Sequence, residues 1–365
     1  MKTTLLLIIL TQSLGALAQS GPSISANALI LYQNSNLNRD DNSTKRNGVE
    51  LQETEIAFYS DVDPYHKLNV LLTVAPKYEF DTAAQKVNQT WAVEPETLYM
   101  ETTQLPGATL KAGKFKAAFG KHNQLHAHNY PFVEAPLANS KLLGDEGLND
   151  FGISVAGLLP LSWFSELTLQ GLRGEGENSE FNSTENGDSV GLVRWTNLWD
   201  LSEEHTLEIG FSGAQGKNYL NTKTQLSSID LTFKWRPLSG GKYQSWTIAL
   251  EGIQRQIDQP STLAESSKGG TLWAQYQFAQ RWQIGGRIED LKTENSDSAL
   301  NSLALPNYKS SRSTLAITFQ PSEFSSYRLE LGQGELPPNL RNETTEKRIA
   351  LQTNFTIGAH PSHGY

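Results

Sequence analysis

The 365-residue chain contains no cysteine, no excess of basic charge and, beyond its first residues, no long apolar run. Without cysteine sulfur it cannot form a disulfide scaffold, a thiolate metal site or a cysteine nucleophile. Its 30 Lys and Arg are outnumbered by 39 Asp and Glu. This balance argues against a nucleic-acid partner, because such binding requires clustered positive charge. No later stretch approaches the roughly 20 apolar residues of a membrane-spanning helix.

The N-terminus has the pattern of a secretory signal peptide. Lys2 gives it a basic start, residues 5–10 are apolar, and a small-residue motif ends at Ala18. We predict a cleaved signal peptide over residues 1–18 and a single exported domain over residues 19–365.

Strict alternation of apolar and polar residues recurs along the rest of the chain and is typical of β-strands with one wet face. Near the C-terminus, for example, Ile349, Leu351, Phe355 and Ile357 share one face. The pattern predicts about sixteen strands, within the range of membrane barrels. We place them at residues 23–33, 49–60, 66–77, 91–103, 108–120, 150–158, 164–173, 189–198, 205–213, 225–236, 243–255, 270–278, 281–291, 312–319, 326–334 and 347–358.

Short turns and long polar loops alternate between these strands. The turns include residues 61–65, 104–107, 279–280 and 320–323, and the loops include residues 34–48, 174–188, 256–269 and 292–311. Outer-membrane barrels have this asymmetry, because their turns face the periplasm and their loops face outside. Aromatic residues near strand ends fit the interfacial girdles of such barrels: Tyr65, Trp163, Trp195, Trp235, Trp282 and Tyr327. We predict an all-β, transmembrane antiparallel barrel in contact with outer-membrane lipid and lipopolysaccharide.

Several segments also resemble a known group of proteins. They are residues 110–123, His126, His128, residues 131–136, residues 62–65 and residues 358–365. In these segments the chain is similar to bacterial outer-membrane porin-like proteins, specifically to a group described as zinc-regulated outer-membrane receptors or porins. The resemblance implies a barrel in the outer membrane of a Gram-negative bacterium. A terminal aromatic residue such as Tyr365 is typical of tails read by the barrel-assembly machinery, but Pro361 interrupts the alternation before it.

An interior enclosed by about sixteen strands is wide enough for an aqueous channel. The longest loop, roughly residues 121–149, follows the fifth strand and resembles the third loop that folds into porin lumens. We predict that charges of opposite sign face each other across a pore constriction there: Lys114, Lys116, Glu134, Asp145 and Glu146. Such an arrangement orients polar solutes and favours passive passage of small hydrophilic molecules. The alternative is that these are solvated loop charges.

Five of the seven histidines fall in two clusters, one in this loop and one at the C-terminus: His122, His126, His128, His360 and His363. Imidazoles at such spacings can converge on Zn²⁺ or a similar metal. A single site using both clusters is disfavoured, because the loop enters from outside and the tail is periplasmic. The alternative is exposed histidines without a ligand. No cofactor is expected to be required, and Zn²⁺ would be a transported or weakly bound ion.

Other function classes are weaker. A barrel enzyme needs a nucleophile and a base, and His66 and His205 lie beside short turns without an evident serine partner, so we predict no enzyme. An exported soluble β-sandwich would make the strand charges ordinary solvent-facing residues. A partner-dependent outer-membrane metal receptor would need a plug, yet the first strand begins shortly after Ala18. Porins of this size are often trimers, so a homotrimer is the candidate assembly.

Overall fold

The computed structural model describes residues 22–39, 47–81, 86–102, 104–176, 180–185, 187–239, 243–258, 264–295, 308–336 and 344–358. The predicted signal peptide and the C-terminal residues His360, His363 and Tyr365 lie outside these residues. None of the helices within them is long and apolar enough to cross a bilayer.

The described chain forms sixteen β-strands and one short α-helix. The strands are β1 (Ser23–Ser35), β2 (Gly48–Asp63), β3 (His66–Asp81), β4 (Lys86–Thr102), β5 (Ala108–Lys116), β6 (Asn149–Leu158), β7 (Phe164–Leu172), β8 (Val190–Ser202), β9 (His205–Lys217), β10 (Lys223–Trp235), β11 (Ser245–Asp258), β12 (Ala264–Ala279), β13 (Trp282–Asn295), β14 (Tyr308–Ser322), β15 (Ser325–Glu335) and β16 (Thr345–Gly358). The helix is α1 (Leu137–Leu143), and short 3₁₀ turns occupy Asn36–Arg39, His122–Gln124 and Ala127–Asn129.

Each strand pairs antiparallel with its neighbours in the chain, and β1 pairs with β16 to close a barrel. The closing register runs from Ser25 opposite Gly358 to Ser35 opposite Arg348. Closure gives each strand a neighbour on both sides, which is how a barrel satisfies its backbone hydrogen bonds. The predicted sixteen-strand antiparallel barrel is therefore confirmed.

Several predicted strand boundaries are wrong; β4, for example, begins at Lys86 instead of residue 91. Strands β11 and β12 continue through most of the predicted loop 256–269, as far as Asp258 and from Ala264 onward. Residues 265–268 are polar on both faces, so apolar alternation cannot distinguish strand from loop there. Strand β5 ends at Lys116 instead of residue 120, because the chain turns into the barrel at Gly120, where φ is +60°.

The two faces of the wall differ in polarity as the alternation predicts. On β15, Leu329 and Leu331 are 39% and 55% exposed on the outer face, whereas Glu330 between them is 1% exposed and points inward. Aromatic rings stack on the outer face at the end that carries the short turns, as in the Trp246–Tyr276 pair with centroids 4.5 Å apart. An apolar outer band with aromatic residues at its border is the pattern of a lipid-facing wall.

The connection between β5 and β6, residues 117–148, folds into the barrel and is called the lumen loop below. Its apolar side chains are buried against inner-wall residues of the barrel in three clusters. In one of them Phe132 packs with Trp273 of β12, and in another Val133 packs with Leu31 and Ala350 of β1 and β16. The predicted inward-folding third loop is confirmed.

Candidate functional site

The lumen loop is fixed to the wall by an apolar cluster around helix α1. Pro136 precedes the helix, and Gly144, with φ +86°, ends it in a conformation that favours glycine. Leucines of the helix share one buried cluster with inner-face residues of β10, β11 and β13: Leu137, Leu142, Leu143, Leu226, Ile253 and Leu291. Gly269 of β12 makes room for the helix, because a Cβ there would lie 2.6 Å from the Cβ of Ala138.

Six glutamates of the inner wall, called the glutamate ring below, contact the lumen loop. They lie on β2, β4, β9, β11, β13 and β15, which belong to opposite sides of the barrel. The contacts are Glu55 with His128, Glu96 with His126, Glu208 with Lys121, Glu251 with Asn139, Glu289 with the Leu137 N–H, and Glu330 with the Val133 N–H. The lumen loop therefore crosses the interior and is held on both sides.

Glu251 makes the densest set of contacts in the ring. Its Oε2 accepts the backbone N–H groups of Lys121 at 3.0 Å and His122 at 2.9 Å, and its Oε1 accepts the Asn139 amide at 2.8 Å. A Cβ on Gly120 would lie 2.6 Å from Glu251 Oε1. Glycine at that position, with φ +60°, lets the backbone approach the carboxylate closely.

Glu134 of the lumen loop is bound by arginines of the wall. Its carboxylate lies 2.5 Å from Arg312 Nη1 and 2.9 Å from Arg348 Nη1. The same arginines contact two members of the glutamate ring: Arg312 reaches Glu289 at 3.0 Å and Arg348 reaches Glu330 at 3.2 Å. Charges of both signs thus alternate across the interface between loop and wall, and each arginine there has a carboxylate partner.

The structure departs from the predicted opposition of Lys114 and Lys116 to the loop carboxylates at Lys114. Lys116 Nζ lies 2.9 Å from Glu96 Oε1, donates to the backbone carbonyl of Glu146 at 3.4 Å and interacts electrostatically with the Glu146 side chain. Lys114 pairs in register with Leu98 and Phe151, both exposed on the outer face.

The physical reason is that Phe115, 1% exposed, points into the barrel to join the apolar cluster of the lumen loop. Lys114, the residue before it, therefore points to the outer face, whereas it was expected to point into a water-filled lumen. Among the other predicted constriction residues, Glu134 is bound to the arginines described above, and Asp145 and Glu146 are exposed at the end of the loop.

The three loop histidines do not converge on one point. The His122 ring packs against the Tyr130 ring at an angle of 40°, with centroids 4.5 Å apart, and burial lowers the pKa of the His122 imidazole well below the usual range. His126 and His128 lie parallel to each other with centroids 6.0 Å apart. His126 Nδ1 is 2.9 Å from Glu96 Oε1, and His128 Nδ1 contacts Glu55. Among the described residues, the group of possible metal ligands includes His126 and neither His122 nor His128.

Sequence reasoning missed Glu55, Glu96 and Arg312 as contacts of the lumen loop. Glu96 is the extra residue of a β-bulge, since Leu71 pairs with Thr97 and Leu72 with Pro95. Bulges re-aim side chains, and a proline within a strand marks such irregularities. Pro95 was therefore a signal in the sequence. For Glu55 and Arg312, the only signal in the sequence was their position on the polar face of an alternating strand.

His205 does have a serine neighbour, contrary to the expectation from the sequence. Ser202 Oγ lies 2.8 Å from His205 Nδ1 across the exposed turn between β8 and β9. The same hydroxyl accepts the backbone N–H of Glu204 at 3.2 Å. These are contacts that stabilise a tight turn.

Known proteins resemble this chain in sequence or in fold, although no family model matches it. An uncharacterized protein of Aquifex aeolicus (strain VF5) is 28% identical over 353 residues, covering 88% of this chain and 71% of that protein.

Among solved structures, the high-pH structure of Pseudomonas putida OprB has a TM-score of 0.61 at 8% identity, covering 95% of this chain and 96% of that one. The outer membrane channel DcaP of Acinetobacter baumannii gives 0.58 at 10%, covering 93% and 99%. The trimer form of Vibrio cholerae OmpT, an outer membrane protein, gives 0.56 at 9%, covering 93% and 100%. The chain shares the closed-barrel fold of these outer-membrane proteins.

Proposed function

We propose that the protein is an outer-membrane channel for passive passage of small hydrophilic solutes, narrowed by the lumen loop. The observation that carries the proposal is a closed barrel with an apolar outer face and a charged inner face. An apolar outer wall suits lipid and lipopolysaccharide, whereas buried charges on the inner wall suit a polar lumen. Its fold likeness to outer-membrane proteins of known structure supports the same location.

The inner-wall charges favour weak selectivity between anions and cations. Arg194 and Asp230 form a two-bonded pair at 2.7 and 3.0 Å, and Arg255 pairs with Glu180 at 2.6 Å. Charges matched in this way create little net field for steering ions of one sign. We therefore propose a general channel, with assembly as a homotrimer supported by the trimer form of the Vibrio cholerae protein of like fold.

We extend the proposal to divalent metal ions, including Zn²⁺, as candidate solutes. Support comes from the carboxylates of Glu55 and Glu96 on the wall and the imidazoles of His126 and His128 on the lumen loop, which meet inside the barrel. Carboxylate and imidazole are both ligands that Zn²⁺ accepts.

The test is single-channel recording in planar bilayers with the purified barrel, in the presence and absence of Zn²⁺. Heat-modifiable mobility in detergent gels first establishes that the barrel is closed and folded. We expect discrete, long-lived conductance steps with a reversal potential near zero in a gradient of potassium chloride. Folded protein that gives no conductance would refute the channel.

A further inference from the structure

The strongest unexplained feature of the barrel interior is a group of metal-ligating atoms where the lumen loop meets β2 and β4. One ligand atom each from Glu55, Glu96 and His126 lies within 4.8 Å of the other two. Glu55 and Glu96 are 3% and 5% exposed. Glu55 lies on β2, Glu96 on β4 and His126 on the lumen loop, so a ligand shared by them would join three separate segments.

The oxygen atoms of this group are not all accounted for. Glu96 Oε1 faces His126 and Lys116, but its Oε2 is buried without a hydrogen-bond partner among the described residues. A buried carboxylate oxygen without a partner is costly. Glu53 adds a further carboxyl group beside Glu55. The site thus gathers three carboxyl groups, and Lys116 pairs with one of them, Glu96.

We propose that Glu55, Glu96 and His126 bind one divalent transition-metal cation, which fastens the lumen loop to β2 and β4. Two carboxylates and one imidazole form a mixed oxygen and nitrogen set that suits Zn²⁺ or Co²⁺ better than Mg²⁺ or Ca²⁺. His128, in contact with Glu55, orients that carboxylate from outside the ligand set. The proposal rests on the proposed function only in treating the loop as part of a channel.

The exposure of His126 and the position of Lys116 affect how a cation would bind at this site. The His126 side chain is 15% exposed, so this ligand of the group is partly accessible to solvent. Lys116 Nζ, 2.9 Å from Glu96 Oε1, competes with the cation for the same carboxylate. Removal of this ammonium should therefore strengthen metal binding. If Glu96 served only as the salt-bridge partner of Lys116, the same removal would not strengthen metal binding.

The experiment is titration of the folded, detergent-solubilised full barrel with Co²⁺, followed by visible absorption, and with Zn²⁺, followed by calorimetry. We expect one ion per chain. Affinity should fall about tenfold or more in Glu55→Gln, Glu96→Gln and His126→Asn, and should rise in Lys116→Gln. His205→Asn and Glu203→Gln are matched controls, a histidine and a glutamate at the turn between β8 and β9, and should bind as the parent does. Heat-modifiable mobility checks that each variant is folded.

The absence of binding to the folded parent would overturn the proposal and would leave the two imidazoles as polar contacts of the glutamates. Equal affinity in the parent and His126→Asn would overturn it as well, and that variant changes only a loop side chain. Conductance is measured separately on the same samples. A barrel that conducts without binding metal refutes this site alone, and a barrel that binds metal without conducting refutes the channel alone.

Discussion

The backbone N–H of Val133 donates to the carboxylate of Glu330 over 2.7 Å, although the two residues are 197 positions apart in the chain. This bond places the middle of the lumen loop against β15. Other loop residues contact Glu55 and Glu96 on β2 and β4, or Glu251 on β11. A loop held at such separated points is a fixed part of the lumen, and the predictions below follow from that attachment.

Glu251→Ala should loosen the lumen loop while leaving the barrel closed. The substitution leaves the Lys121 and His122 N–H groups and the Asn139 amide without their acceptor, at roughly 1–3 kcal/mol for each buried donor. We expect faster hydrogen exchange in residues 117–148. Glu203→Ala, at an exposed turn, is the control. Equal exchange in both variants would show that Glu251 does not hold the loop.

Glu134→Gln should shift the channel toward anions. The change removes the carboxylate shared by Arg312 and Arg348 and leaves an excess of positive charge in the lumen. The reversal potential in a salt gradient measures the shift. Glu185→Gln, in an exposed outer loop, should leave the reversal potential unchanged. A reversal potential identical to the parent's in Glu134→Gln would contradict the placement of Glu134 beside the conducting path.

Gly269→Ala should displace helix α1. The new Cβ would lie 2.6 Å from the Cβ of Ala138 and 3.1 Å from a methyl group of Leu291, and overpacking of this kind costs about 1–3 kcal/mol. We expect increased proteolysis within the lumen loop of the folded barrel. Gly252→Ala is the matched control, because its Cβ would meet its nearest neighbour at 3.7 Å. Comparable protease resistance in the two variants would count against the close packing of α1.

Acidification should weaken the attachment of the lumen loop through His122, which lies outside the sixteen strands. Burial holds its pKa well below the unfolded value of about 6.5. The buried loop therefore favours the neutral imidazole, so this contribution to stability is complete above about pH 6.5 and is lost as the pH falls below it.

His122→Phe keeps a ring against Tyr130 and removes the titrating group, so its loop should become less sensitive to acid than the parent's. Hydrogen exchange of residues 117–148 between pH 7 and pH 5 gives the comparison. His126 and His128 are unchanged in both proteins, so the comparison isolates His122. The same acid response in both proteins would assign it to other groups.

The strands were predictable because alternation is a local signal that follows from one wet and one lipid-facing side. Ile349 and Leu351 reveal their face without knowledge of any other strand. The course of the lumen loop was not predictable, since its contacts join residues as distant as Val133 and Glu330. Lys114 shows the limit of parity: it was assigned to the lumen because a water-filled interior was assumed, whereas Phe115 packs inward against the loop.

The central claim is that the lumen loop narrows the channel, and deletion of residues 124–146 tests it most directly. The ends of the deletion already meet, because Asn123 Oδ1 accepts the backbone N–H of Leu148 at 2.7 Å, so the shortened connection can close without distorting β5 or β6. The measurement is single-channel conductance of the folded deletion variant beside the parent, with folding checked by heat-modifiable mobility. We predict a clear increase in conductance. An unchanged conductance in a folded barrel would contradict the claim.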